Sequence, residues 1–348
     1  MSELLKLWDS DYISSVPSLH RIGRDIIERL LEFSEVLPPF PHDELTVKLH
    51  GKSTCDIEGT LKLVIEDLIS SRDVNVSEFI NRTSDPFATA ADVIASIINP
   101  TTHLDMSSPY QCLYGALDIP MTKKGLEKCN YSAKEYENSK KFLISDKIWT
   151  TTFTPPGAIT HSHMDYYGRH QYFVHLFGKK LWLLWPPTAK NLEIFSNFHT
   201  RLSAHDTTIR CIGELEGLQL YYCKPGEVFV LQPNVIHACM CFATSSHTGT
   251  WVWALDTMSE AMRMIDWGIN WLKLRSGDVG SSVECAKQEI YVLESDIISL
   301  KLLIDRNTSR DMDFSNELSR IQNFQGALND VRKLYNIRSN NKRKRGGG

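Results

Sequence analysis

The stretch FTPPGAITHSHMDYYGRHQYFVHLFGKKLWLLWPP, Phe153 to Pro187, decides the reading of the fold. Short runs of aromatic, β-branched and other apolar residues alternate there with Pro, Gly and Asp, the pattern of a barrel or sandwich rather than of a parallel sheet. Tyr172 to Phe177 and Lys180 to Trp185 read as two strands, and Gly178-Lys179 between them reads as the tight turn of a hairpin. Further on, GEVFVLQPNVIHACMCF, Gly226 to Phe242, repeats the pattern. Glu227 to Leu231 and Ile236 to Phe242 are expected as a second hairpin around Gln232-Pro233-Asn234, with Ile148 to Phe153 and Thr250 to Leu255 as further strands.

On either side of this β-rich part the apolar residues take a helical spacing. Ile22, Ile26, Ile27, Leu30 and Leu31 mark an amphipathic helix over Leu19 to Phe33, stopped at Leu37-Pro38-Pro39-Phe40-Pro41. A second helix is predicted over Ile57 to Ser70. A third runs from Pro86, the first helical position after a capping Asp85, to Ile98. Tyr110 to Leu117 then leads into a turn at Asp118-Ile119-Pro120, and a polar helical stretch covers Ser132 to Lys141. Downstream, Thr257-Met258-Ser259-Glu260 has the form of a capping box opening a helix with Met264, Ile265, Trp267, Trp271 and Leu274. After a polar linker at Ser276 to Ser282, Ile290, Leu293, Ile297, Leu300 and Ile304 form a seam of alternating three and four steps. A last helix, Phe314 to Tyr335, makes a helical hairpin with it. Such a hairpin packs either on its own chain or on a second copy, as a homodimer.

The expected organisation is therefore α+β, with a mainly helical region over 1–105, a β core over 106–258, a helical region over 259–337 and a basic tail over 338–348. Its 348 residues and 42% hydrophobic content are ample for such a core. Lys and Arg number 38 against 42 acidic residues, which leaves no overall electrostatic footprint for nucleic acid. Only the tail, with Lys342-Arg343-Lys344-Arg345, is locally basic, and it reads either as a solvated extension or as a nuclear import signal. Eight cysteines occur without a CxxC pair, and no apolar run has the length of a membrane span. An intracellular protein, nuclear or cytoplasmic, with reduced thiols and no membrane segment is expected.

Within the β core lie the residues that carry chemistry. His163 and Asp165 stand two apart, so on an extended strand both side chains leave the same side. His237 comes from the second stretch. Two imidazoles and one carboxylate on one face of a metal leave positions open, the arrangement of non-haem iron(II) oxygenases, whereas structural zinc takes four protein ligands. Thr160 precedes His163 by three residues and Lys180 follows it by seventeen.

Thr160, the HxD pair, GKKLW with Lys180 before Trp182, Pro186-Pro187 and GEVFVLQPNVIH together resemble a JmjC domain, over about Tyr110 to Asp256. The resemblance implies a double-stranded β-helix of jelly-roll, cupin-like form, between the N-terminal helices and the C-terminal helical hairpin. It implies an oxidoreductase, a dioxygenase using iron(II), 2-oxoglutarate and O2. His163, Asp165 and His237 would bind the metal. Lys180 and Thr160 would hold the distal carboxylate of 2-oxoglutarate, and Tyr172 stands where such domains place another residue that seats the cosubstrate. Val235-Ile236 replaces the usual aromatic pair before the final histidine. The substrate implied is a protein or peptide. Histone lysine demethylation in chromatin stands ahead, because the spacing from His163 to Lys180 is similar to that in lysine demethylases; protein hydroxylation, a non-catalytic scaffold of the same fold and a small-molecule oxygenase are the other readings.

Other residues have plainer readings. His103-Leu104-Asp105 is a second HxD triplet, read as a loop. His161 shares a strand face with His163 by parity but lacks an Asp two residues on. His170, His175, His199, His205 and His247 read as ordinary surface or core residues. Trp182, Trp185, Trp251 and Trp253 read as core more readily than as a cage for a methylated ammonium.

Overall fold

The computed structural model describes residues 2–14, 16–33, 47–52, 57–70, 75–78, 89–98, 114–120, 142–144, 150–165, 168–276, 283–308 and 313–337. The expected helix over Ser132 to Lys141, the cap at Asp85-Pro86, the triplet at His103, most of the linker before Val283 and the basic tail lie outside them. The fold is mixed α+β with an antiparallel sheet. The chain divides into two compact units, one of Met1–Ala133, Asp146–Asp165 and His170–Trp251, the other of Lys134–Ser145, Tyr166–Arg169 and Val252–Gly348. None of the described helices is long and apolar enough to cross a membrane.

In the first unit, helices α1 (Ser2–Trp8), α2 (Asp11–Ser14) and α3 (Pro17–Glu32) come first. Pro17 begins α3, where its missing N–H costs nothing, and Leu19, Ile26, Ile27 and Leu30 bury the apolar face that the spacing predicts. Gly23 leaves room for the Trp8 ring, since a Cβ there would lie 1.9 Å from Trp8 Cζ2. That indole donates to the carbonyl of His20 and meets Phe242 edge-on. Helices α4 (Ile57–Ser70) and α5 (Ala90–Ile98) lie on either side of strand β2 (Asn75–Glu78) in the chain. The bounds of α4 agree with expectation.

The sheet is built around two long strands. Its main path runs β1 (Val47–Lys52), β9 (Glu227–Leu231), β7 (His170–Trp185), β10 (Ile236–Ala254), β5 (Thr150–Thr154), β3 (Tyr114–Pro120), β2. Strand β3 continues through Asp118–Pro120, where a turn was expected, because Ile119 and Pro120 pair with Thr151 and Thr150.

Neither expected hairpin forms. The first is replaced by one continuous strand: the early half of β7 pairs with β9, and the later half with β8 (Gln219–Cys223). Gly178 marks the change of partner. Its φ of 95° suits glycine, and a Cβ there would lie 2.2 Å from the Thr244 carbonyl oxygen. Likewise the early part of β10 pairs with β6 (Ile159–His163), while Ser245–Gly249 pair with β5. Strands β9 and β10 follow each other in sequence but flank β7 in the sheet, so Gln232-Pro233-Asn234 connects strands that do not pair with each other. The strand expected at Thr250 is the continuation of β10.

Two helices between β7 and β8 were not foreseen. Thr188 caps α6 (Ala189–Arg201) by accepting from the Asn191 amide, and Ser203 caps α7 (Ala204–Glu214) by accepting from the Asp206 amide.

The second unit contains β4 (Phe142–Ile144), paired with Val252–Ala254, and helices α8 (Met258–Arg275), α9 (Val283–Asn307) and α10 (Ser315–Leu334). Thr257 precedes α8 but makes no side-chain cap bond, and Glu260 pairs with Arg263, so the capping box is not formed. The seam residues Ile290, Leu293, Ile297, Leu300 and Ile304 are buried against α8 and α10 residues such as Ile265, Leu272, Phe324 and Leu328. The seam is therefore consumed by a three-helix core within this unit. Asp296 is fully buried on α9, and its Oδ1 accepts from Arg169 Nε at 2.8 Å and from Nη2 of the same guanidinium.

Candidate metal centre

Strand β6 delivers His163, Asp165 follows it, and β10 delivers His237 as its second residue. His163 and His237 are direct cross-strand partners, with ring centroids 4.2 Å apart. Asp165 reaches both: its Oδ1 is 3.7 Å from His163 Nε2 and its Oδ2 is 3.4 Å from His237 Nε2. One ligand atom from each residue lies within 4.8 Å of the others, close enough to bind a metal ion.

The imidazoles are turned for ligation. His163 Nδ1 faces the His161 carbonyl at 2.8 Å, and His237 Nδ1 faces that of Val235 at 2.9 Å. A carbonyl only accepts, so each Nδ1 carries the hydrogen and each Nε2 keeps its lone pair toward the shared point. Burial, then the neighbouring His163, holds His237 well below its ordinary pKa, so it stays neutral and able to ligate at neutral pH.

A break in the strand register decides which β6 residues share this face. His237 pairs with His163, but Cys239 pairs with Thr160, so two steps on β10 oppose three on β6. The extra residue is a bulge. It brings Thr160 to the side of His163 despite their odd spacing, and it turns His161 away. Thr208 on α7 holds the bulge: its hydroxyl meets His161 Nδ1 and accepts from the Ser162 amide, both at 2.9 Å. Parity had placed His161 beside His163, and the bulge corrects that.

Lys180, on the later half of β7, is only 2% exposed. Its Nζ lies 3.4 Å from His247 Nδ1 and 4.9 Å from the centre of the Trp182 ring. Among the described residues no carboxylate pairs with this ammonium. A buried cation beside a neutral acceptor and an aromatic face is costly, and an anionic ligand would relieve that cost. Around it Phe173, Trp182, Leu184, Cys223, Phe229 and Cys239 form an apolar wall. Phe173 touches both Trp182 and His247. Tyr172, one residue earlier on β7, alternates with Phe173 along the strand. Trp182, Trp185 and Trp253 are core residues, as read.

His247 and His175 are the residues that sequence reasoning passed over. His247 stands ten positions after His237 on the same strand, a signal that becomes readable only once β10 is known to be continuous. Burial pushes His175 down to about 4 from its ordinary 6.5, against the raising effect of its bond to the Gly178 carbonyl. The unfolded chain therefore binds one more proton between those values. This contribution is whole above 6.5 and is lost as the pH falls to about 4, amounting to about 3 kcal/mol. Urea unfolding of His175→Gln across that window is expected to show a pH dependence flatter by about that amount; an unchanged slope would contradict it.

Four buried cysteines in the described residues, Cys211, Cys223, Cys239 and Cys241, are free. Cys239 shares the face of His237, and burial pushes its thiol up to about 12. Among the described residues, the donors that converge on the shared point are two imidazoles and a carboxylate. No family model and no curated protein matches this chain.

Proposed function

We propose that the chain is a dioxygenase of the JmjC type, dependent on iron(II) and 2-oxoglutarate, acting on a protein substrate by N-methyl lysine demethylation. The observation that carries this reading is the buried ammonium of Lys180, paired with no carboxylate among the described residues, in the same sheet that brings His163, Asp165 and His237 together. Mixed imidazole and carboxylate ligation with open positions suits iron(II) better than structural zinc. The partner exchanges of β7 and β10 support a double-stranded β-helix, in which each long strand crosses from one sheet of a roll to the other.

Each residue then has a distinct task. His163, Asp165 and His237 hold the ion on one face, with both tautomers set by backbone carbonyls. Lys180 pairs with the distal carboxylate of the oxoacid, Thr160 hydrogen-bonds to it, and Phe173, Trp182 and Phe229 keep water from that end. When bound, iron and 2-oxoglutarate supply O2 activation coupled to decarboxylation, giving succinate and carbon dioxide. The protein's remaining work is to hold a substrate C–H bond near the metal. On an N-methyl group, hydroxylation collapses to formaldehyde and demethylated lysine; on a side-chain carbon it leaves a stable alcohol. The basic tail fits a nuclear setting, with histone lysine as the first substrate to try.

Purified protein supplied with iron(II), ascorbate, 2-oxoglutarate and methylated histone peptides is expected to release succinate, with peptide mass falling by one methylene for each methyl removed. Lys180→Met is expected to raise the KM for 2-oxoglutarate about 30-fold, for a lost charged hydrogen bond of about 2 kcal/mol. Gain of one oxygen mass would make the protein a hydroxylase. No succinate with any peptide would point to a scaffold and overturn the oxygenase reading.

A further inference from the structure

We infer that His247 is a positioning residue for the acid end of this site: by accepting from Lys180 it aims the ammonium, and so sets the preference for a dicarboxylic over a monocarboxylic 2-oxoacid. The inference rests on the proposed function and adds to it a residue that the metal and lysine motifs do not contain. Three features carry it. His247 Nδ1 is the side-chain acceptor that the described structure gives Lys180 Nζ, at 3.4 Å. Its ring is fixed from two sides, edge-on to Phe173 with centroids 5.2 Å apart and to Trp182 at 5.8 Å. Finally, Thr152 of β5 lies directly across from His247, so the backbone beneath the ring is a paired strand rather than a loop.

The chemistry follows from the inventory of hydrogens. A lysine ammonium has three donors on a flexible stem and no acceptor. With one donor spent on His247 and the ammonium set over the Trp182 ring, its remaining donors have restricted directions, and a carboxylate meets a preset cation instead of ordering one. Burial, followed by the charge of Lys180, holds His247 well below its ordinary pKa, so its lone pair is available at neutral pH. His175 and His237 also face it electrostatically and act in the same direction.

The test compares two 2-oxoacids that would chelate a metal alike and differ at the far end, 2-oxoglutarate and 2-oxobutyrate. Their binding to the manganese(II)-loaded full chain is measured by calorimetry without turnover. Wild type is expected to prefer 2-oxoglutarate. His247→Leu, which keeps bulk but cannot accept, is expected to lose about fivefold to tenfold of that preference while binding 2-oxobutyrate as before. His247→Asn, whose side-chain oxygen can stand near the position of Nδ1, is expected to restore most of it. A preference unchanged in His247→Leu would overturn the inference, as would equal losses in the two variants or parallel weakening of both acids. A wild type with no preference at all would instead remove the acid-binding role of Lys180, and with it the proposed function.

Discussion

Alanine at His237 is expected to lower affinity for a divalent metal by at least about 100-fold, since loss of even an outer partner of a ligand costs 10- to 100-fold. His237 is almost wholly buried, and its Nε2 is aimed at the shared point by the bond from Nδ1 to the Val235 carbonyl. Among the described residues, no other His, Cys, Asp or Glu joins the cluster. His163→Ala and Asp165→Ala should act in the same sense. His161→Ala should not, because the bulge in β6 sends that ring to Thr208. Anaerobic equilibrium dialysis with manganese(II) distinguishes the four variants. Retained binding in His237→Ala, or a loss in His161→Ala as large as that in His163→Ala, would mean that the register of β6 against β10 is not as described.

The second large effect concerns stability. Asp296→Ala is expected to destabilise the helical unit by about 3–5 kcal/mol, because it strands the Arg169 guanidinium in the interior without its carboxylate. Both side chains are buried, and Arg169 also lies over the Trp253 ring at 5.7 Å. The cost comes from the widowed charge more than from the attraction of the pair. Removing both charges should therefore be milder than removing one: Arg169→Met with Asp296→Leu is expected to recover most of the loss. Urea unfolding followed by far-ultraviolet circular dichroism reads the four states of this cycle. Additive losses in the double variant would contradict the argument, as would a single-variant loss below about 1 kcal/mol.

Much of this was legible in residue spacing. Helix α3 follows the recurrence of Ile26, Ile27 and Leu30, α4 spans its predicted bounds, and the HxD pair with His237 converges as the pattern required. The failures share one cause. Gly178-Lys179 between two β-rich runs is the same local signal whether the chain reverses or merely bends, and only the distant partners β8 and β9 decide between them. The same holds at Gln232-Pro233-Asn234. A bulge is also invisible to parity: counting by twos joins His161 to His163 and separates Thr160, whereas the pairing with Cys239 and His237 reverses both assignments. His247 escaped because its meaning depends on Lys180, which lies sixty-seven residues away in sequence. The caps Thr188-x-x-Asn191 and Ser203-x-x-Asp206 were present in the sequence and could have announced α6 and α7.

The most direct test of the metal centre is an anaerobic cobalt(II) titration followed by visible and near-ultraviolet absorption. Two imidazoles and a carboxylate with open positions predict one equivalent bound, weak visible bands typical of nitrogen and oxygen donors, and their loss in Asp165→Ala. A strong sulfur-to-cobalt charge-transfer band, or a titration that Asp165→Ala leaves unchanged, would contradict it.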